Sequence, residues 1–209
     1  MHDGIRRVLI ASDDLDGMPE ALGKARQLVA GDCSALRLLV ICYDAIADEA
    51  AGTVPATTRE AVEHARLQRA REGLAELPGA RDIAATALWS RETAADIIAA
   101  AGQWPADLLI KPVSPHHPVA DYFHTPLDWA LMREAPCPVL VTRGASWGSD
   151  GVVLAAVDAG DLEHQALSRE ILCRAGQLAV ARGAELHVVC AYPDLGQTVS
   201  ELQVATDFA

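Results

Sequence analysis

No dense run of lysine or arginine occurs anywhere in this sequence: 17 basic residues face 29 acidic ones, for a formal charge of −12. A surface built to neutralise a phosphate backbone needs the opposite balance, which argues against nucleic acid as a partner and against an anionic membrane surface. Long apolar runs are scarce as well. The opening "MHDGIRRVLIASDD" holds only Val8 to Ala11 as an apolar stretch, far below the roughly 20 residues of a membrane span and too short for a signal-peptide core. The expected compartment is the cytoplasm. Five cysteines, Cys33, Cys42, Cys137, Cys173 and Cys190, show no C-x-x-C spacing and no secretory context, so buried, reduced thiols are expected.

What the chain does have is enough apolar material for a core, with 51% hydrophobic and 22% charged residues over 209 positions. Strand-like runs recur at 7–12 (RVLIAS), 36–43 (LRLLVICY), 82–89 (DIAATALW), 107–112 (DLLIKP) and 138–143 (PVLVTR). They are near-continuous apolar runs, the pattern of strands covered on both faces. Helical segments fall between them at 18–30, 57–77 and 91–103. The second carries Val62, Ala65, Leu67, Ala70, Leu74 and Leu77 as one apolar stripe, and Ser90 is placed to cap the third. Alternating strands and helices predict an α/β fold, a doubly wound five-stranded parallel sheet with right-handed crossovers.

Periodicity is lost over 144–150, "GASWGSD", which reads as a linker between a first domain at 1–143 and a second at 151–209. The pattern then restarts. "VVLAAVD" (152–158) echoes "RVLIASD" (7–13), a helix over 164–183 follows, and "ELHVVCAY" (185–192) echoes "LRLLVICY". The second copy has no counterpart of the last three strands. A lone βαβ unit cannot cover both faces of its sheet, so it is expected to be completed by more chain, by the first domain or by another molecule.

The loop between Ile110 and the helix before "APCPVLVTR" has the length of a nucleotide-phosphate cradle but no glycine. At this point the chain resembles the universal stress protein family of the UspA type, in particular its tandem two-domain branch. The resemblance rests on "RVLIASD", "LLVICY", the pair "ADLLIK" and "APCPVLVTR", and the restart at "VVLAAVD". It implies a cytoplasmic protein acting in stress adaptation as a binding and interaction module rather than an enzyme. It also implies pairing through the final strand of the domain, either between the two copies or as a homodimer through 138–143.

ATP-binding members of that family resemble one another in a G-x2-G-x9-G-[ST] loop after the fourth strand. Glycines there let the backbone approach phosphates, and the last pair opens a helix whose free N–H groups receive the anion. Laid on this chain, those positions are Pro112, Pro115, Thr125 and Pro126. Proline removes the N–H donor and fixes φ, so the loop is not expected to form an anion nest. Thr125 as N-cap, Pro126 at N1 and Asp128 at N3 would instead close the helix start with its own carboxylate. No cofactor is therefore expected in the first domain, and ATP remains open only for a completed second one.

Several residues qualify as ligand contacts. Asp13 and Asp158 end the first strand of each copy, and in the doubly wound sheet of order 3-2-1-4-5 that the resemblance implies, Asp13 together with the 112–125 loop should border the crevice between strands 1 and 4. The resemblance places Asp13 on the adenine or ribose side, with backbone groups near Val40 and Ile41 supporting the base; the alternative is that Asp13 caps a βα loop. Lys111 ends the fourth strand, next to Pro112; a lysine there could meet an anion or pair with Asp13 across the switch point, and the ion pair is the expectation. His116, His117, Asp121 and His124 share one loop and could offer a zinc ion three ligands and an open position, though their spacing matches no standard closed site. Tyr122, Phe123 and Trp129 cluster at the same loop in a chain with only 4% aromatics. Phe123 and Trp129 are expected to plug the cleft as core, or else the cluster lines a crevice for a small apolar ligand. No Ser-His-Asp, Cys-His or paired-carboxylate arrangement can be placed.

Overall fold

The computed structural model describes residues 5–13, 15–29, 32–43, 54–113, 127–144, 147–148, 151–158 and 165–190. The chain divides into two compact units, Asp3–Trp147 and Gly148–Ala209. In the first, the elements run β1 (Val8–Ser12), α1 (Met18–Leu28), β2 (Leu36–Ile41), α2 (Ala56–Glu76), β3 (Ala84–Leu88), α3 (Thr93–Gln103), β4 (Leu108–Pro112), α4 (Leu127–Glu134) and β5 (Val139–Thr142). The five strands form one parallel sheet of order β3-β2-β1-β4-β5, the order expected from the sequence.

Burial follows position in that sheet. The central strands β1 and β4 are buried at every residue, and β2 at every residue except Arg37, whose guanidinium lies 4.6 Å from the centre of the Trp104 ring. Edge strands β3 and β5 are only partly covered. On one face Leu9, Ala11, Leu39, Ile41 and Leu109 pack with Ile97 and Ala101 of α3 and Leu131 of α4. Residues that alternate with these, such as Ile10, Leu38 and Ile110, are in lateral register and turn to the opposite face, where α1 and α2 lie against the sheet. Each such fully buried aliphatic side chain is worth about 1.5–3 kcal/mol relative to exposure.

The register of the two central strands is pinned from outside the ladder. The Asp107 carboxylate accepts hydrogen bonds from the backbone N–H groups of Arg6 (3.1 Å) and Arg7 (2.9 Å), while Asp107 N donates to Arg7 O at 2.8 Å. Val8 then pairs with Leu108.

Two local expectations require correction. Ser90 is not the N-cap of α3. That position is Glu92, and the Ser90 hydroxyl instead accepts from Glu92 N (3.0 Å), in a turn that sets the helix start two residues later. The apolar stripe of α2 is buried only in its second half, at Ala70 and Leu74; Ala65 is exposed. Along the first half, the charged Glu63 and Arg66 hydrogen-bond the main chain at the strand ends.

The second unit comprises β6 (Val152–Val157), α5 (Gln165–Arg182) and β7 (Glu185–Cys190). β6 and β7 form a two-stranded parallel sheet in register from Val152↔Glu185 to Val157↔Cys190. Val153, Ala155 and Ala179 are buried, whereas Val152, Leu154 and Val188 remain exposed.

Candidate functional site

The carboxyl ends of β1 and β4 are where the chain turns opposite ways. β1 runs on through α1 to β2, β4 runs on through α4 to β5, and the crevice of a doubly wound sheet opens between such strands. Asp13 follows β1 there and Lys111 is the penultimate residue of β4. The Lys111 side chain is 2% exposed; its ammonium donates to Asp13 Oδ1 at 2.9 Å and to the Pro112 carbonyl at 2.7 Å. Asp13 is 35% exposed, so the pair has one end in the interior and the other within reach of water. The ion pair expected from the sequence is thus present, and Pro112 contributes its carbonyl to it.

α2 completes this edge. Arg59, Glu63 and Arg66 recur every three or four residues and lie on one helix face. Arg66 Nη1 donates to Ile41 O (2.9 Å) and Asp13 O (3.3 Å), Glu63 Oε1 accepts from Trp89 N (2.9 Å), and Arg59 Nε donates to Val54 O (2.9 Å). The main chain at the ends of β1, β2 and β3 is therefore tied to one helix. Val40 O accepts a weak contact from Cys42 Sγ at 3.6 Å, and Cys42 N donates to Leu88 O at 2.8 Å. Burial pushes the Cys42 thiol above its ordinary value of 9.0; the Arg66 charge and the Leu88 backbone contact offset part of this, and Glu63 adds slightly to it. Beyond it, Tyr43 and Trp89 meet edge to face, 6.0 Å between centroids.

The structure brings Asp13, Ile41, Lys111 and Pro112 to one edge, with Val40 a residue behind it. Asp158 belongs to the second unit, where it is exposed just past the end of β6 and its carbonyl accepts from the Ser168 hydroxyl at 2.9 Å. Thr125, Pro115 and Pro126, the proposed zinc ligands His116, His117, Asp121 and His124, and the aromatics Tyr122 and Phe123 lie outside the described residues. Among the described residues no cluster of three or more metal-ligating side chains occurs. Trp129 is a correction: at 58% exposed it plugs no cleft, because it sits on the outer side of α4 while Leu131 takes the buried position.

Sequence reasoning missed Arg66 and Glu63. The available signal was the charged repeat Arg59, Glu63, Arg66, which interrupts the apolar stripe of α2 on the side nearest the strand ends.

This is a parallel α/β domain with a topological switch point between β1 and β4, the class of fold that holds small ligands at the carboxyl edge of its sheet. The chain belongs to the universal stress protein family, whose profile, "Universal stress protein family", matches residues 4–143. It is 36% identical over 91 residues to universal stress protein E of Photorhabdus laumondii, a match covering 42% of this chain and 29% of that protein. To universal stress protein E of Escherichia coli K12 it is 33% identical over 90 residues, covering 42% and 28%. A putative universal stress protein from Pseudomonas aeruginosa is similar in structure, with a TM-score of 0.62 and 31% identity, over 95% of this chain and 66% of that one. A functionally unknown protein from the same species gives 0.61 and 31%, over 97% and 66%. The chain thus matches less than a third of the length of these curated relatives, and just under two thirds of the solved chains.

Proposed function

We propose that this chain acts in the stress response as a non-catalytic binding and interaction module, and that its first unit does not take up ATP through a glycine-loop site. The observation that carries this is the state of the crevice itself. The Asp13 carboxylate is engaged by a buried ammonium from Lys111, and the Ile41 carbonyl, on the strand where a base would be supported, is engaged by Arg66. A nucleotide would have to compete with donors already fixed in place. The sequence adds prolines and a threonine where the family's phosphate glycines would stand.

The relatives' greater length supports a tandem protein in which the βαβ unit at 152–190 begins a second domain of the same kind, to which nucleotide binding is not closed. Pairing would then run through β5, an edge strand with half-buried Val139, Leu140 and Val141.

Native mass spectrometry of the chain with and without ATP and zinc tests this reading, because bound ligand and assembly are weighed together. The expected spectrum has no stoichiometric ATP adduct and a dimeric mass. An ATP adduct that disappears in Asp13→Asn but not in Asp158→Asn would place nucleotide in the first unit and overturn the proposal. A strict monomer would remove β5 as a pairing edge, and a stoichiometric zinc adduct would favour a metal-binding role instead.

A further inference from the structure

Lys24 is the other lysine of the first unit held at 2% exposure, and it has no part in the crevice. It stands on the inner face of α1 among Met18, Ala21, Leu22, Ala25 and Leu28. An ammonium group is strongly disfavoured there unless its donors are met. Among the described residues no carboxylate pairs with it. Its Nζ donates instead to two successive main-chain oxygens just past β5, Gly144 O at 3.0 Å and Arg143 O at 3.4 Å, and lies 5.9 Å from the centre of the Trp147 ring. Two consecutive carbonyls converge on one ammonium only where the chain turns sharply, and Gly144 supplies that turn with φ at +72°.

We propose that Lys24 is a latch that fixes the path by which the chain leaves the first unit, and thereby shields the Arg143–Gly144 peptide bond from proteolysis. Arg143 and Gly144 are both exposed, so the arginine side chain is open to a trypsin-like protease. The carbonyl of the bond to be cut is the group that Lys24 holds, in a segment that is turned rather than extended. Cleavage requires the latch to open first, and its rate reports that opening. The feature matters because Trp147 is the last residue of the first compact unit, so the latch governs whether the two units stay joined after protease exposure.

The test is a trypsin time course on the full chain. Cleavage after Arg143 is followed by mass spectrometry, referenced to cleavage after the exposed Arg81 between α2 and β3, and each site is normalised to its rate in the urea-unfolded chain. In Lys24→Met the Arg143 to Arg81 ratio is expected to rise roughly tenfold, as follows when cleavage tracks the population of an opened segment. Gly144→Val leaves the core untouched, since a side chain there meets nothing within 4 Å, yet it disfavours the left-handed turn; it should raise the same ratio. An unchanged ratio in folded Lys24→Met overturns the proposal. If Lys24→Met loosens both sites equally, Gly144→Val decides, and an unchanged ratio there overturns it as well.

Discussion

Lys111 is 2% exposed and its partner Asp13 is 35% exposed, and that inequality sets what each side chain is worth. Asp13→Asn leaves a buried ammonium without the Asp13 carboxylate, which is expected to cost about 3 kcal/mol. Lys111→Met replaces the buried charge with a flexible apolar chain of similar length and leaves behind a carboxylate that water can reach, so about 1 kcal/mol is expected. Urea midpoints at pH 7 for the two variants check the order; equal losses would mean the pair is not governed by burial of the lysine. Cys42 gives a pH dependence of known sign. Its folded thiol titrates above the ordinary value of 9.0, so the stability tied to the neutral thiol is fully present below that value and is lost as pH rises from it through the raised folded one. Cys42→Ala is accordingly expected to cost about 1 kcal/mol near neutrality, and the gap from wild type should narrow above pH 9. A constant gap over that range would assign the loss to packing alone.

At the scale of elements, α2 has two functions along its length. Its second half supplies Ala70 and Leu74 to the core, and its first half supplies polar groups to the strand ends. Arg66→Met should remove the donor shared by Ile41 O and Asp13 O and cost about 1–3 kcal/mol, the range for leaving a half-buried acceptor unmet. Hydrogen exchange should then speed up at the ends of β1 and β2 while β4 stays protected; uniform exchange across the sheet would contradict a local tie. This division was only half legible in the sequence. The strands were readable because continuous apolar runs have few other uses, and α1, α3 and the helix before β5 were readable from their position between strands. The charged edge of α2 was not readable, since a solvated face and a face hydrogen-bonded to strand ends have the same composition. Ser90 and Trp129 misled for related reasons: a cap depends on where helical dihedrals begin, and the burial of an aromatic ring depends on which side of a short helix meets the core.

For the molecule as a whole, the doubly wound parallel sheet followed from the alternation of strands and helices, because crossover handedness leaves few arrangements, and the restart at residue 152 followed from the echo of 7–13 in 152–158. The pairing of Asp13 with Lys111 was legible in the sequence from their positions at the ends of the first and fourth strands, while the contact of Arg66 with the same strand ends needed coordinates. Among its described residues the second unit buries little. Val152, Leu154, Leu186, Val188 and Val189 are all exposed hydrophobics on a two-stranded sheet, and such a sheet is marginal unaided. Amides of β6 and β7 are therefore expected to exchange faster than those of β1 and β4 in the same chain, by native-state hydrogen exchange; equal protection would show that the second unit is covered by something else. The clip made by Asp107 also constrains how the chain can fold. β1 meets β2 across a short stretch of sequence, but the bond from Arg7 to Asp107 spans 100 residues, so a long loop must close before the middle of the sheet exists. On a ribosome, β1 would emerge early and wait for β4, with its second edge unpaired until most of the first unit has been synthesised.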